Sequence, residues 1–123
     1  MKHFLVTGGA GFIGSNFIHY ILDNFADVHI TNLDALTYAG NPENLSDLKL
    51  DPRYTFIHGN INNPQVLNDI FFQGAPIDII IHFAAESHVD RSIVDPLLFI
   101  QTNILGTANL LLHAKSYWSS LDA

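Results

Sequence analysis

Short apolar runs alternate with longer amphipathic stretches along this chain. His3 to Thr7 is mostly apolar and stops at Gly8 and Gly9, which predicts a strand ending in a turn. From Gly11 to about Phe25, Ile13, Phe17 and Ile21 recur every four positions with Ile18, Leu22 and Phe25 beside them, the spacing of one helical face. Val28 to Leu33 predicts a second strand, closed by Asp34. The polar stretch from Tyr38 to Pro52 predicts a loop holding a short helix from Pro42 to Leu48, with the proline in its first turn. Tyr54 to His58 predicts a third strand, Pro64 to Phe72 a short helix, Ile77 to Ala85 a fourth strand, and Pro96 to about Tyr117 the longest helix. The unbroken Ile79-Ile80-Ile81 run suits a parallel strand covered on both faces.

Strand and helix alternate four times, which predicts an α/β fold with a parallel sheet and helices on both faces. Right-handed crossovers give the strand order 3-2-1-4, the first half and the switch point of a Rossmann sheet. Residues 1–123 then form an incomplete Rossmann domain, truncated after its fourth strand-helix unit. In such sheets ligands bind beyond the carboxyl ends of the strands, so the residues after each strand carry the functional question.

Composition narrows the classes. Hydrophobic residues make up 48% of the chain and charged residues 14%, against about 25% charged in typical soluble domains. That excludes a disordered chain and leaves unusually few charges for a free surface. The net charge of -7 offers no basic stripe for nucleic acid. Apolar runs fall short of the ~20 residues of a membrane span. The absence of cysteine excludes thiolate metal sites and suits a reducing cytoplasm. The histidines are scattered, without the close helical pairs of a zinc site, so no metal is expected.

The chemistry concentrates at the first turn. Gly9-x-Gly11-x-x-Gly14, overlapping Gly8-x-x-Gly11-x-x-Gly14, lies between a predicted strand and a predicted helix. A pyrophosphate needs donors and a positive end, and a helix beginning near Gly11 supplies both. Gly11 lets backbone approach the phosphates, and Gly14 lets the helix pack closely on the strand. The alternative is a plain tight turn. Asp34 stands twenty residues after Gly14 at the end of the second strand. A carboxylate there can accept from both adenosine ribose hydroxyls and would repel a 2′-phosphate, so the expected cofactor is NAD and not NADP.

Two longer segments are more specific. Asn32-Leu33-Asp34-Ala35-Leu36-Thr37-Tyr38-Ala39-Gly40-Asn41 and His82-Phe83-Ala84-Ala85-Glu86-Ser87-His88-Val89-Asp90-Arg91-Ser92-Ile93 resemble the segments after strands two and four of the dTDP-glucose 4,6-dehydratases, extended short-chain dehydrogenases/reductases. The resemblance runs from about Lys2 to Ala114. It implies that Phe12 and Ile13 offer amides to the NAD pyrophosphate, and that Asp34, Ala35, Leu36 and Thr37 line the adenosine ribose. It also implies that Asn60 and Ile61 sit by the adenine. Phe83, Ala84, Ala85, Glu86 and Ser87 would follow the cofactor toward the nicotinamide, Ser87 would also meet the sugar nucleotide, and Thr102 would touch the cofactor. The family usually has aspartate where this chain has Asn60, which can still accept from adenine but without charge assistance. Relatives often carry a longer cationic side chain at Ala35. His82 reads as a strand histidine before it reads as a ligand.

The family oxidises the glucose C4 hydroxyl through NAD, eliminates water across C5 and C6, and returns the hydride to C6. The superfamily base is a tyrosine with a lysine four residues on. Here Tyr20, Tyr38, Tyr54 and Tyr117 are followed at that distance by Asn24, Pro42, His58 and Leu121. The family's Asp-Glu pair after a threonine is also missing, so no catalytic residue is assigned. The expected whole is a lyase acting on dTDP-glucose, of which this chain is an NAD-binding fragment, engineered or truncated. The alternatives are a related nucleotide-sugar epimerase or decarboxylase, or a non-catalytic NAD-binding module. The 96–117 helix carries Leu97, Leu98, Ile100, Ile104, Leu105, Leu111 and Leu112 around much of its circumference. Such a helix expects burial on more than one side; in relatives it joins a homodimer bundle.

Overall fold

Four parallel strands, β1 (Lys2–Thr7), β2 (Val28–Asp34), β3 (Tyr54–His58) and β4 (Ile79–His82), lie in the order β3-β2-β1-β4. The computed structural model describes residues 1–36, 42–84, 97 and 100–121, without the side chains of Pro42, Gln101 and Thr102. Helices α1 (Phe12–Asn24), α2 (Pro64–Phe72) and α3 (Thr107–Ser120) alternate with the strands, and a 3-10 helix spans Pro42–Leu48. The predicted order of elements and the 3-2-1-4 sheet are both found. Two compact units make up the chain: Met1–Gly59 with Pro76–Ala84, and Asn60–Ala75 with Ala85–Ala123.

The first unit is the sheet with α1. Alternation along each strand sorts its side chains onto two faces. Val6 on β1, Val28 and Ile30 on β2 and Ile81 on β4 share the face that packs with Ile18, Ile21 and Leu22 of α1 and with Leu45 and Leu48 of the 3-10 helix. Each such apolar side chain fully withdrawn from water contributes roughly 1.5–3 kcal/mol. The buried positions of α1 are Gly14, Ser15, Ile18, Ile21 and Leu22, at helical spacing. Ile13 and Phe25, expected on that face, are 66% and 50% exposed. The reason is steric. Gly14 packs against the backbone of Gly8 and Gly9, with Ser15 buried beside it, and that inward face leaves Ile13 pointing outward. The C-terminal turn of α1 has no basic residue of its own. Arg53 supplies the charge from a distance: its Nη1 donates to the carbonyls of Leu22 (3.1 Å) and Phe25 (3.0 Å). Asp51 holds the same guanidinium at 3.1–3.2 Å.

β4 is shorter than the expected Ile77 to Ala85. Asp78 has left the strand to close its start, where Oδ2 accepts from the His3 amide (2.9 Å) and its own amide donates to the His3 carbonyl (2.9 Å). Ile79–His82 are half-buried, as suits an edge, and not covered on both faces. Ala85 lies outside the described residues.

In the second unit, Asn63 caps α2 by accepting from the amides of Gln65 and Val66, and Pro64 occupies the first turn. Phe71 and Phe72 meet Tyr117 of α3 at ring-centroid distances of 5.4 and 5.9 Å. Asn109 Nδ2 donates to Asn62 Oδ1 (3.3 Å). The expected single helix from Pro96 is not uniform: Gln101–Gly106 is π-helical before α3 begins. Among the described residues no helix is long and apolar enough to cross a membrane.

Gly8 is a tight point of the fold with a backbone conformation that favours glycine. Its φ of +70° is a left-handed conformation, and a Cβ there would stand 2.6 Å from the Ala84 amide nitrogen. Gly8→Ala should lower stability by about 2–4 kcal/mol, summing the left-handed penalty and overpacking against backbone. Gly11, with φ of -75°, should accept alanine at a cost below about 1 kcal/mol. Urea unfolding of the two variants tests the contrast, and equal losses would contradict it.

Candidate functional site

The turn after β1 is bonded to β2 and to itself. Gly8 donates to the Leu33 carbonyl (2.9 Å), Gly9 to Asn32 Oδ1 (2.9 Å), Ala10 to Asp34 Oδ2 (2.8 Å) and Gly11 to the Gly8 carbonyl (3.3 Å). Every amide from Gly8 to Gly11 therefore has a protein acceptor. The amides of Phe12, Ile13 and Gly14 have none among the described residues, and no side chain caps the helix at Gly11. An uncapped helix start presents unsatisfied donors and the positive end of the helix dipole. Phe12 and Ile13 flank these amides with largely exposed side chains. A Cβ on Gly14 would meet the Gly8 carbonyl oxygen at 2.5 Å, so α1 can start this close to β1 only with glycine there.

Asp34 is buried at the end of β2. Besides Ala10, its carboxylate accepts from the Leu36 amide (Oδ1, 2.8 Å). Leu36 stands at φ 55°, a conformation that costs a branched side chain roughly 1–2 kcal/mol and that this bond helps hold. Each carboxylate oxygen carries two lone pairs, so both can accept once more. Sequence spacing did not foresee the task these two bonds give it, anchoring the turn.

Residues that sequence reasoning passed over complete the site. Asn32 is wholly buried, and its Nδ2 donates to the Tyr54 hydroxyl (3.1 Å). Asn44 Nδ2 donates to the Ala10 carbonyl (2.9 Å), tying the 3-10 helix to the turn. The available signal was position: Asn32 lies two residues before Asp34, on the same face of β2. Burial raises the Tyr54 hydroxyl above its usual range; the Asn32 bond opposes the rise and the Asp34 charge adds to it.

Beyond β4, the Phe83 amide donates to the Thr7 carbonyl (2.8 Å), and the Ala84 amide to Thr7 Oγ1 (3.3 Å). Thr7 Oγ1 also meets His82 Nδ1. Burial holds His82 below the usual histidine range, so the neutral ring is favoured and Nδ1 can accept the hydroxyl proton. The His82 environment is that of a strand histidine. Ala35 lends its carbonyl to His58 Nε2 (3.1 Å). Asn60 Oδ1 accepts from the Asn62 amide (2.8 Å), and Ile61 is buried. Thr37, Ala85, Glu86, Ser87 and the side chain of Thr102 lie outside the described residues.

A parallel 3-2-1-4 sheet with a glycine turn at its switch point and an acid at the end of β2 is the arrangement of a Rossmann-type nucleotide-binding fold. The sequence profile described as GDP-mannose 4,6 dehydratase matches residues 5–122, and the chain belongs to that family. It is 52% identical over 119 residues to dTDP-glucose 4,6-dehydratase 1 of Escherichia coli, covering 97% of this chain and 32% of that protein. The dTDP-glucose 4,6-dehydratase DesIV of Streptomyces venezuelae, solved with NAD and TYD bound, superimposes with a TM-score of 0.84 at 46% identity. That match covers 94% of this chain and 36% of DesIV. A Bacillus anthracis dTDP-glucose 4,6-dehydratase in complex with NAD gives 0.83 at 40% identity, over 95% and 34% of the two chains. The chain thus spans about a third of the length of the relatives it matches.

His29 is also held low, by burial first and then by the neighbouring His3 charge, against an opposing pull from Asp51. With His82, it makes the unfolded chain bind more protons than the folded one below the ordinary histidine value of about 6.5. Their contribution is complete above that pH and is lost as the pH falls toward the folded values. Urea midpoints should therefore drop between pH 7.5 and 5.5, and His82→Gln should flatten part of that slope. An unchanged slope in the variant would show that His82 does not carry it.

Proposed function

We infer that this chain is the NAD-holding portion of a dTDP-glucose 4,6-dehydratase, a lyase of the nucleotide-sugar class working in the cytoplasm. The observation that carries the reading is the run of amides at Phe12, Ile13 and Gly14 without an acceptor among the described residues, following a turn whose Ala10 amide is held by the buried Asp34 carboxylate. Those residues fit a dinucleotide: donors for a pyrophosphate, an acid for a ribose, and Gly8 and Gly14 where a Cβ would strike backbone. NAD, when bound, supplies a hydride acceptor that later returns the hydride.

In this reading the Phe12 and Ile13 amides hold the pyrophosphate, with Gly8, Gly11 and Gly14 shaping the approach. Asp34 accepts from the adenosine ribose, lined by Ala35, Leu36 and Thr37. Asn60 and Ile61 attend the adenine. Phe83, Ala84, Ala85, Glu86 and Ser87 lead toward the nicotinamide, with Thr102 beside the cofactor and Ser87 facing the sugar nucleotide. The Tyr-x-x-x-Lys base and the Asp-Glu pair are not among these 123 residues, so these residues alone turn over no dTDP-glucose. A second copy of the chain would pair along the expected 96–117 segment, where Leu97, Ile104, Leu111 and Leu112 are each more than 60% exposed.

Titration calorimetry tests the cofactor assignment. The chain should bind NAD more tightly than NADP, because the Asp34 carboxylate repels a 2′-phosphate. Asp34→Ala should weaken NAD by about tenfold, the worth of one charge-assisted hydrogen bond, while NADP loses less. Equal losses for both cofactors would remove Asp34 from the ribose. Light scattering tests the pairing: concentration-dependent dimers are expected, and a monomer at the highest soluble concentration would contradict it.

A further inference from the structure

We propose that Asn32 is a positioning residue for the dinucleotide: its buried amide fixes the glycine turn through the Gly9 N–H and the Tyr54 hydroxyl. The assignment rests on the cofactor reading above and deepens it. Asn32 has no exposed surface. A backbone N–H can only donate, so the atom facing Gly9 is the side-chain oxygen, and the nitrogen must face Tyr54. Both ends of the amide are therefore used, and its orientation is determined by its partners.

The consequence falls on the turn. Asn32 and Asp34 project from the same face of β2 and take the amides of two successive residues, Gly9 and Ala10. With Gly8 and Gly11 also satisfied inside the protein, the turn's own donors are spent up to the start of α1, and the unspent ones begin at Phe12. The side chains of β2 thus decide which amides remain for a ligand. Gly9 has no room for an alternative arrangement, because a Cβ there would collide with Asn32 Oδ1 and Ile18. Asparagine is suited to the task on chemical grounds. An aliphatic residue would leave the Gly9 N–H buried without a partner. A carboxylate would add negative charge beside a phosphate site and would lack the donor for Tyr54.

The test compares NAD with adenosine, which lacks the pyrophosphate, by titration calorimetry on the full chain. Asn32→Leu should weaken NAD about tenfold and adenosine less than about twofold, since only the phosphate contacts depend on the turn. Tyr54→Phe keeps the Gly9 bond but frees the amide end, and should weaken NAD by about threefold. Hydrogen exchange supplies a readout that needs no ligand: the Gly9 amide should be protected in the natural chain and in Tyr54→Phe, and unprotected in Asn32→Leu. Equal weakening of NAD and adenosine, or a lower unfolding midpoint with NAD affinity intact, would overturn the proposal. If Asn32→Leu does not fold, unchanged NAD affinity in Tyr54→Phe or an unprotected Gly9 in the natural chain would do the same. Failure of the natural chain to bind NAD at all would refute the cofactor reading, while Gly9 exchange would still decide the role of Asn32 in the turn.

Discussion

The backbone at Gly8 passes so close to the backbone after β4 that a single Cβ would stand 2.6 Å from the Ala84 nitrogen. Most of the site follows from that approach. It lets β1 end against both neighbours, with Gly8 bonded to Leu33 and the Phe83 amide bonded to Thr7. It also lets the chain reverse into α1 without a long loop, which Gly14 completes by tolerating the Gly8 carbonyl at its own surface. The turn that results is short, glycine-rich and fully bonded on its inner side. Rigidity on the inside leaves the free donors on the outside at the start of α1, where the helix dipole adds positive potential.

The fold was legible because its signals are local. Glycine punctuation, the four-residue recurrence of apolar positions and the isoleucine run of β4 locate strands and helices without reference to one another. β3, α2 and the Pro42–Leu48 helix match their expected bounds. The departures are tertiary. Asp78 leaves the strand because the His3 backbone offers it two hydrogen bonds. Ile13 turns outward because Gly14 and Ser15 take the inward face where α1 starts against the Gly8–Gly9 turn. The π-helical segment before α3 carries no signature that a period of 3.6 residues could reveal.

The site was legible in part. The glycine turn and Asp34 announce themselves by spacing, since a strand-turn-helix-strand unit fixes how far apart they stand. Asn32 and Asn44 do not, because an asparagine in a strand or a short helix has many ordinary explanations. Their roles depend on which backbone groups the fold brings within 3 Å, and spacing along the chain does not encode that. Asp34 shows the same limit from the other side. Its place at the end of β2 suggests a ligand acceptor, while its bonds to Ala10 and Leu36 make it a structural anchor as well.

The scarcity of charge also has a physical reading. The chain spans about a third of its relatives' length, and Leu97, Ile104, Leu111 and Leu112 are each largely exposed, so apolar side chains take up surface that charges would otherwise fill. Amide chemical shifts in nitrogen-15 spectra of the chain during addition of NAD test the role of the turn most directly. The Phe12 and Ile13 amides should move most, with Gly9 and Ala10 nearly still because β2 already holds them. Large shifts at Gly9 and Ala10 with Phe12 and Ile13 unmoved would contradict it.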